Sequence, residues 1–186
     1  MAIMLKKGGR FNLTKNEPSL EKIMVGLGWE MKTSAKLDLD VSVFMLGVNG
    51  KIPADEYFVF YNNLKSPDGA VQHTGDNRSG DEEGDDEMIL ANLRIVDESV
   101  CELLFVVSIH DADVRRQSFN NLQNAYIRIL DVASNREILR YDLDHDFGNS
   151  TDMEFGRLVK ENGEWSFLAS GVGSNRGLQG FVDMYA

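Results

Sequence analysis

The chain has 186 residues, 42% of them hydrophobic, and its 30 Asp plus Glu against 19 Lys plus Arg leave a formal net charge of -11 at pH 7. That apolar fraction supports one folded domain over residues 1–186 and excludes a chain disordered throughout, since only three prolines interrupt it. The acidity excludes nucleic acid and bare anionic membrane as direct partners, because both are bound through Lys and Arg, and it favours cations.

At the start of the chain an apolar run, residues 1–5, precedes Lys6-Lys7, the reverse of a secretory leader. No apolar stretch reaches the roughly 18 residues of a membrane span. Cys101 is the single cysteine, so no internal disulfide is possible and a reducing compartment is expected. A cytoplasmic protein follows from these features. Apolar residues then recur with period two in short runs bounded by Gly, Asn and Asp, the signature of strands. Residues 41–46 (VSVFML) lead through Asn49-Gly50 into 57–61 (YFVFY), and the Asn-Gly pair predicts that these strands form a hairpin. Residues 103–109 (LLFVVSI) are almost continuously apolar, which predicts a central strand covered on both faces. Further strands are expected at 125–130, 137–143, 153–160 and 165–169, the last two joined by Asn162-Gly163. Residues 115–123 and 177–185 alternate poorly and are expected to be short helices. The whole reads as an all-β sandwich with short helices.

Residues 76–87 (DNRSGDEEGDDE) carry seven carboxylates, Asp76, Asp81, Glu82, Glu83, Asp85, Asp86 and Glu87, against the single Arg78. Like charges this dense repel by about 1 kcal/mol per pair at 4 Å even in water, so a folded loop needs a counter-charge. Oxygen-only donors with Gly80 and Gly84 for sharp turns suit a hard cation with many oxygen ligands, which describes Ca2+ better than Mg2+. A solvated acidic loop is the plain alternative. Upstream, Asp38 and Asp40 flank Leu39 just before a strand, and Asn62-Asn63 follow the next one. Neither Asp76 nor Asp81 starts an EF-hand, so a site here is assembled from separate loops.

Taken together, the stretches KGG at 7–9, VGLGWE at 25–30, DLDVSVF at 38–44, FYNNLKSPDG at 60–69, HTGDNRSGDEEGDDE at 73–87, FVVSIHDADVRRQSF at 105–119, AYIRILD at 125–131, RYDL at 140–143 and NGEWSFLASG at 162–171 resemble the TerD family, the calcium-binding stress proteins associated with tellurium resistance. The chain departs from that family's usual acidic signature at Ser79 and at Asp81-Glu82-Glu83. The resemblance implies a β-sandwich holding two Ca2+ ions in loops at one end. It implies metal ligands at Asp38, Asp40, Asn63, Asp76, Asn77, Asp85, Asp86 and Glu87, with a main-chain carbonyl from Gly80.

Weaker motifs read as structure. Asp142 to Asp146 mimic the opening of an EF-hand, but Phe147 and Met153 stand where Gly and a bidentate Glu are needed, so a polar strand end is expected. His73, His110 and His145 lack the spacing of a zinc site. Residues 171–177 lack the Lys-Ser/Thr of a P-loop and read as a tight turn, and Arg115-Arg116 as a solvated helix end. No Gly-x-Ser-x-Gly elbow offers a nucleophile, and no enzyme is expected. The function expected is a non-enzymatic Ca2+-binding stress-response protein whose ordered loops present a surface to a protein partner, such as other stress or tellurite-resistance proteins. The alternative is calcium-dependent docking to anionic membrane or nucleotide phosphates.

Overall fold

A computed structural model describes residues 1–32, 37–74, 84–143 and 148–186. In chain order the strands are β1 (Ile3–Leu5), β2 (Arg10–Asn12), β3 (Lys22–Met31), β4 (Leu39–Leu46), β5 (Phe58–Val59), β6 (Val71–His73), β7 (Glu87–Asn92), β8 (Glu102–Ile109), β9 (Leu122–Asp131), β10 (Arg136–Asp142), β11 (Asp152–Glu161) and β12 (Glu164–Ser174). Among the described residues three α-helices, α1 (Leu13–Asn16), α2 (Ala112–Arg115) and α3 (Gly177–Tyr185), lie between or after them.

The strands form two six-stranded sheets, ordered β1-β10-β9-β3-β7-β6 and β2-β12-β11-β8-β4-β5. This is the expected sandwich. The core lies between the sheets, with Val25, Leu27, Ile89, Ile127 and Ile129 from the first facing Val43, Leu103, Phe105, Phe155 and Phe167 from the second. β1 pairs with β10 in the first sheet and β2 with β12 in the second, so residues 3–12 cross from one sheet to the other. The crossing is fixed by Gly8 N–H donating to the Ala169 carbonyl at 2.7 Å and Ala169 N–H to that of Gly9 at 2.9 Å.

The continuous apolar run over 103–109 has two partners, as expected for a strand covered on both faces. Leu103, Phe105, Val107 and Ile109 face the inter-sheet core, while Leu104 and Val106 join Phe44, Leu46, Phe58 and Phe181 in a second cluster on the outer face, covered by α3. Phe44 stacks on Phe58 with centroids 4.4 Å apart, and Tyr185 of α3 lies 5.4 Å from Phe44. The helix expected over 177–185 is therefore an integral layer. Arg176 at its N-cap offers no oxygen to the first turn, and fully buried Asp152 supplies one instead by accepting from Gly177 N–H at 2.8 Å. At the other end Lys51 Nζ donates to the Met184 carbonyl at 2.8 Å.

The expected hairpins are present with one modification. Asn162 and Gly163 both have positive φ, 51° and 79°, and join β11 to β12 in a two-residue turn. β4 pairs with β5 through Val43↔Val59 and Phe44↔Phe58, but the link also contains a 3-10 turn, Asp55–Tyr57. Two expectations are corrected. No helix runs over 115–123: α2 stops at Arg115 because Arg116 takes a left-handed conformation (φ 52°), a 3-10 turn occupies Phe119–Asn121, and Leu122 opens β9. Of the tight turn expected at 171–177, residues 171–174 are instead the last stretch of β12, where left-handed Gly171 (φ 59°) makes an irregularity opposite Phe155, and only Asn175 and Arg176 link the strand to Gly177 at the start of α3.

Candidate functional site

The start of β4, the end of β8 and the start of β11 are adjacent, through Leu39↔Ile109 and Asp152↔Ser108. In the other sheet the end of β3 meets the starts of β7 and β9, through Leu27↔Glu87 and Gly28↔Tyr126. Leu27, Trp29, Leu39, Val107, Phe119 and Met153 line one small apolar cavity, so these ends of the two sheets coincide. Asp38 and Asp40 therefore lie at the same end of the sandwich as Asp85, Asp86 and Glu87, as sequence reasoning expects of a site built from separate loops.

The three carboxylates entering β7 have three different environments. Asp85 lies on the outer face of the first sheet, its side chain only 4% exposed. Arg128 grips it with Nε 2.8 Å from Oδ1 and Nη2 3.0 Å from Oδ2, and the Tyr126 hydroxyl donates to Oδ1 at 2.8 Å. Two glycines make this possible, because a Cβ on Gly26 would overlap the Asp85 carboxylate and one on Gly28 would overlap the Tyr126 ring. Arg128 is held from its other side by Glu137 at 3.1 Å, and the Arg140 guanidinium stacks 3.8 Å from the Tyr126 ring centroid. Burial, followed by the hydrogen bond to Asp85, pushes the Tyr126 hydroxyl pKa well up, so it remains a donor.

Asp86 turns the other way, as successive residues of an extended segment do. It is 5% exposed, and its carboxylate accepts the Trp29 N–H at 2.8 Å while its own N–H donates to the Leu27 carbonyl at 2.7 Å. No described cation reaches this carboxylate. Desolvation, reinforced by the nearby Asp85 charge, raises its pKa above the ordinary value despite the amide donor. Glu87 pairs with His73 across β6 and β7, with Nε2 and Oε2 3.3 Å apart and both side chains 2% exposed.

Asp40 is mostly buried, with Oδ2 3.5 Å from His110 Nδ1, and the Asp38 carbonyl accepts the His110 N–H at 2.8 Å. Asn63 Nδ2 donates to the carbonyls of Phe58 and Glu56 at 2.7 and 2.9 Å, which closes the turn after β5. The next residue, Leu64, accepts the His73 N–H at 2.8 Å, so this turn abuts the His73–Glu87 pair. Asp40, Ser108, His110, Thr151 and Arg176 border an open cavity of about 280 Å3.

Asp76, Asn77 and Gly80 lie outside the described residues, as do Asp144, His145, Asp146 and Phe147 of the EF-hand-like stretch. Among the described residues, no group of three or more His, Cys, Asp or Glu is gathered tightly enough to hold a metal. Sequence reasoning missed Tyr126, Arg128 and His73 as neighbours of the acidic loop. The alternation of Gly26 and Gly28 inside a strand was the available signal, since such glycines mark a close approach.

The TerD domain family matches residues 1–185. The tellurium resistance protein TerD of an Alcaligenes species is 46% identical over 187 residues, covering 100% of this chain and 97% of that protein. General stress protein 16U of Bacillus subtilis (strain 168) is 44% identical over 181 residues, covering 96% and 94%. A crystal structure of a homologue of telluride resistance protein (TerD) from Streptomyces coelicolor A3(2) superposes with a TM-score of 0.70, at 19% identity, over 88% of this chain and 96% of that one. No described helix is long and apolar enough to cross a membrane.

Proposed function

The chain belongs to the TerD family, and on that premise we propose that it is a non-enzymatic calcium-binding protein of the tellurium-resistance and general stress response, acting in the cytoplasm. The observation that carries the calcium reading is Asp86, a carboxylate buried at the acidic end of the sandwich whose one hydrogen-bond donor among the described residues is the Trp29 amide. Burying such a charge is costly without a counter-ion, and a hard dication would supply one. Asp86, Glu87, Asp40, Asp38 and the Asn63 carbonyl oxygen would contribute from the described loops, and Asp76, Asn77 and the Gly80 carbonyl from the segment between β6 and β7, for two ions in all. All of these donors are oxygens, the preference of calcium. A bound ion would neutralise the mutual repulsion of residues 76–87 and order that segment as a surface for a protein partner, such as another stress or tellurite-resistance protein.

Isothermal titration with CaCl2 tests this. Saturable binding with two equivalents per chain supports the reading, and no heat at millimolar calcium removes it. A second reading, calcium-bridged docking to anionic lipid or nucleotide phosphates, is favoured by His110 and Arg176 beside Asp40 in the 280 Å3 cavity. Co-sedimentation with phosphatidylserine vesicles, and ATP binding, each with and without calcium, separate the two.

A further inference from the structure

We propose that Asp85 is a positioning residue and not a cation ligand: it tethers the end of the acidic loop to the outer face of the first sheet, through Arg128 and Tyr126, in the cradle left by Gly26 and Gly28. The inference rests on the calcium reading for its effect on affinity, but its geometry stands alone. Both Asp85 oxygens are engaged, Oδ1 by Arg128 Nε and the Tyr126 hydroxyl and Oδ2 by Arg128 Nη2. A dication seated on those oxygens would lie against a guanidinium already within 3.0 Å of them, so the like charges repel. The neighbouring Asp86 has no such competitor among the described residues. Two adjacent acidic residues with the same side chain are thus sorted by the glycines beneath one of them.

The tether is also stiff. Tyr126 and Arg128 are two residues apart on β9 and share a face, and Arg128 is braced by Glu137. The Tyr126 hydroxyl lies 3.0 Å from the Gly84 carbonyl as well, so the main chain leading into Asp85 is held along with the side chain. Fixing Asp85 on the outer face obliges the next residue, Asp86, to turn towards Trp29 and the interior. Preorganising a ligand through an outer partner in this way is worth about tenfold in metal affinity.

The test uses the full chain and three single substitutions, Asp85→Asn, Arg128→Gln and Gly26→Ala, with the double variant Asp85→Asn/Arg128→Gln. Calcium affinity and stoichiometry are read by titration, and melting is read in EDTA. Each single variant is expected to weaken calcium about tenfold with the number of ions unchanged, and the double variant is expected to be no weaker than either parent. In EDTA all four should melt below wild type, again without additivity in the double. If Asp85 is a ligand, Arg128→Gln releases it and leaves calcium affinity equal or tighter while Asp85→Asn loses an ion, and the proposal is overturned. Gly26→Ala displaces the carboxylate while keeping every charged group, so it decides the matter should Arg128→Gln fail to fold. If wild type takes up no calcium, the calcium reading fails by itself; the tether is then judged on melting in EDTA, where additive losses refute it.

Discussion

Asp152 and Gly177 are joined by a 2.8 Å hydrogen bond, the Gly177 N–H donating to the buried Asp152 carboxylate, so the first turn of α3 is capped from the opening residue of β11. The same carboxylate accepts from the hydroxyls of Ser174 and Thr151. Replacing it with alanine strands these donors and releases α3 from the aromatic cluster of Phe44, Phe58 and Phe181. Asp152→Ala is expected to cost about 3 kcal/mol, or roughly 6–12 °C in melting temperature for a domain of this size. Differential scanning calorimetry measures the loss, and increased binding of a hydrophobic dye below the transition would show that the outer cluster has been uncovered.

Calcium is expected to stabilise the fold by mass action. At about 100 times the dissociation constant one site adds about 2.7 kcal/mol, which corresponds to roughly 5–11 °C. Magnesium should do less, because it holds its water and demands an octahedron. Asp40→Asn should reduce the calcium-induced shift while leaving melting in EDTA nearly unchanged. Coincident curves in EDTA and millimolar calcium contradict the prediction.

Asp86 carries a pH prediction whose sign follows from its raised pKa. A carboxylate that is harder to ionise in the folded state binds protons more readily there than in the unfolded chain, so its contribution to stability falls as pH rises through and above the ordinary aspartate range near 4. In EDTA at pH 7, Asp86→Asn should therefore melt above wild type, and the gap should close as the pH is lowered towards 4. Calcium should reverse the order at pH 7, because the asparagine is a weaker ligand. A variant that melts below wild type in EDTA at neutral pH would mean that the buried charge already has a partner.

The hairpin between β11 and β12 makes a smaller demand. Gly163 has φ of 79° with open space where a Cβ would be, so Gly163→Ala meets backbone strain without a clash. A loss of about 1 kcal/mol is expected, read from the midpoint of a urea titration with the slope unchanged.

Strand alternation made β4 and β8 legible, because each puts four apolar residues on one face, Leu39, Val41, Val43 and Met45 in one and Leu103, Phe105, Val107 and Ile109 in the other, while β9 to β12 showed as shorter apolar runs bounded by Asn, Asp and Gly. β1, β2 and β6 are three residues each, too short for a period to declare itself, and β3 is interrupted by Gly26 and Gly28 while β7 is apolar on both faces at its centre. The helix expected over 115–123 failed at Arg116, whose left-handed backbone no side-chain pattern encodes. At the acidic end the sequence placed Asp38 and Asp40 just before a strand, and the family resemblance implied that they share one end of the sandwich with residues 85–87, which is where strand pairing puts them. The sequence left Asp85 equivalent to Asp86, since the difference between them arises from Gly26 and Arg128, distant residues that only strand pairing brings near.

The passage of residues 3–12 from one sheet to the other bears on the order in which the molecule can be made. Ile3 sits against Leu139 and Phe11 against Phe167, so these residues leave a ribosome long before their partners do and find their places only afterwards. β3, β7 and β9 can assemble sooner, whereas the stitch between the sheets has to close late. Contacts formed so late contribute little to the folding barrier and mainly slow unfolding. Deleting residues 1–9 should accordingly leave the refolding rate almost unchanged and accelerate unfolding.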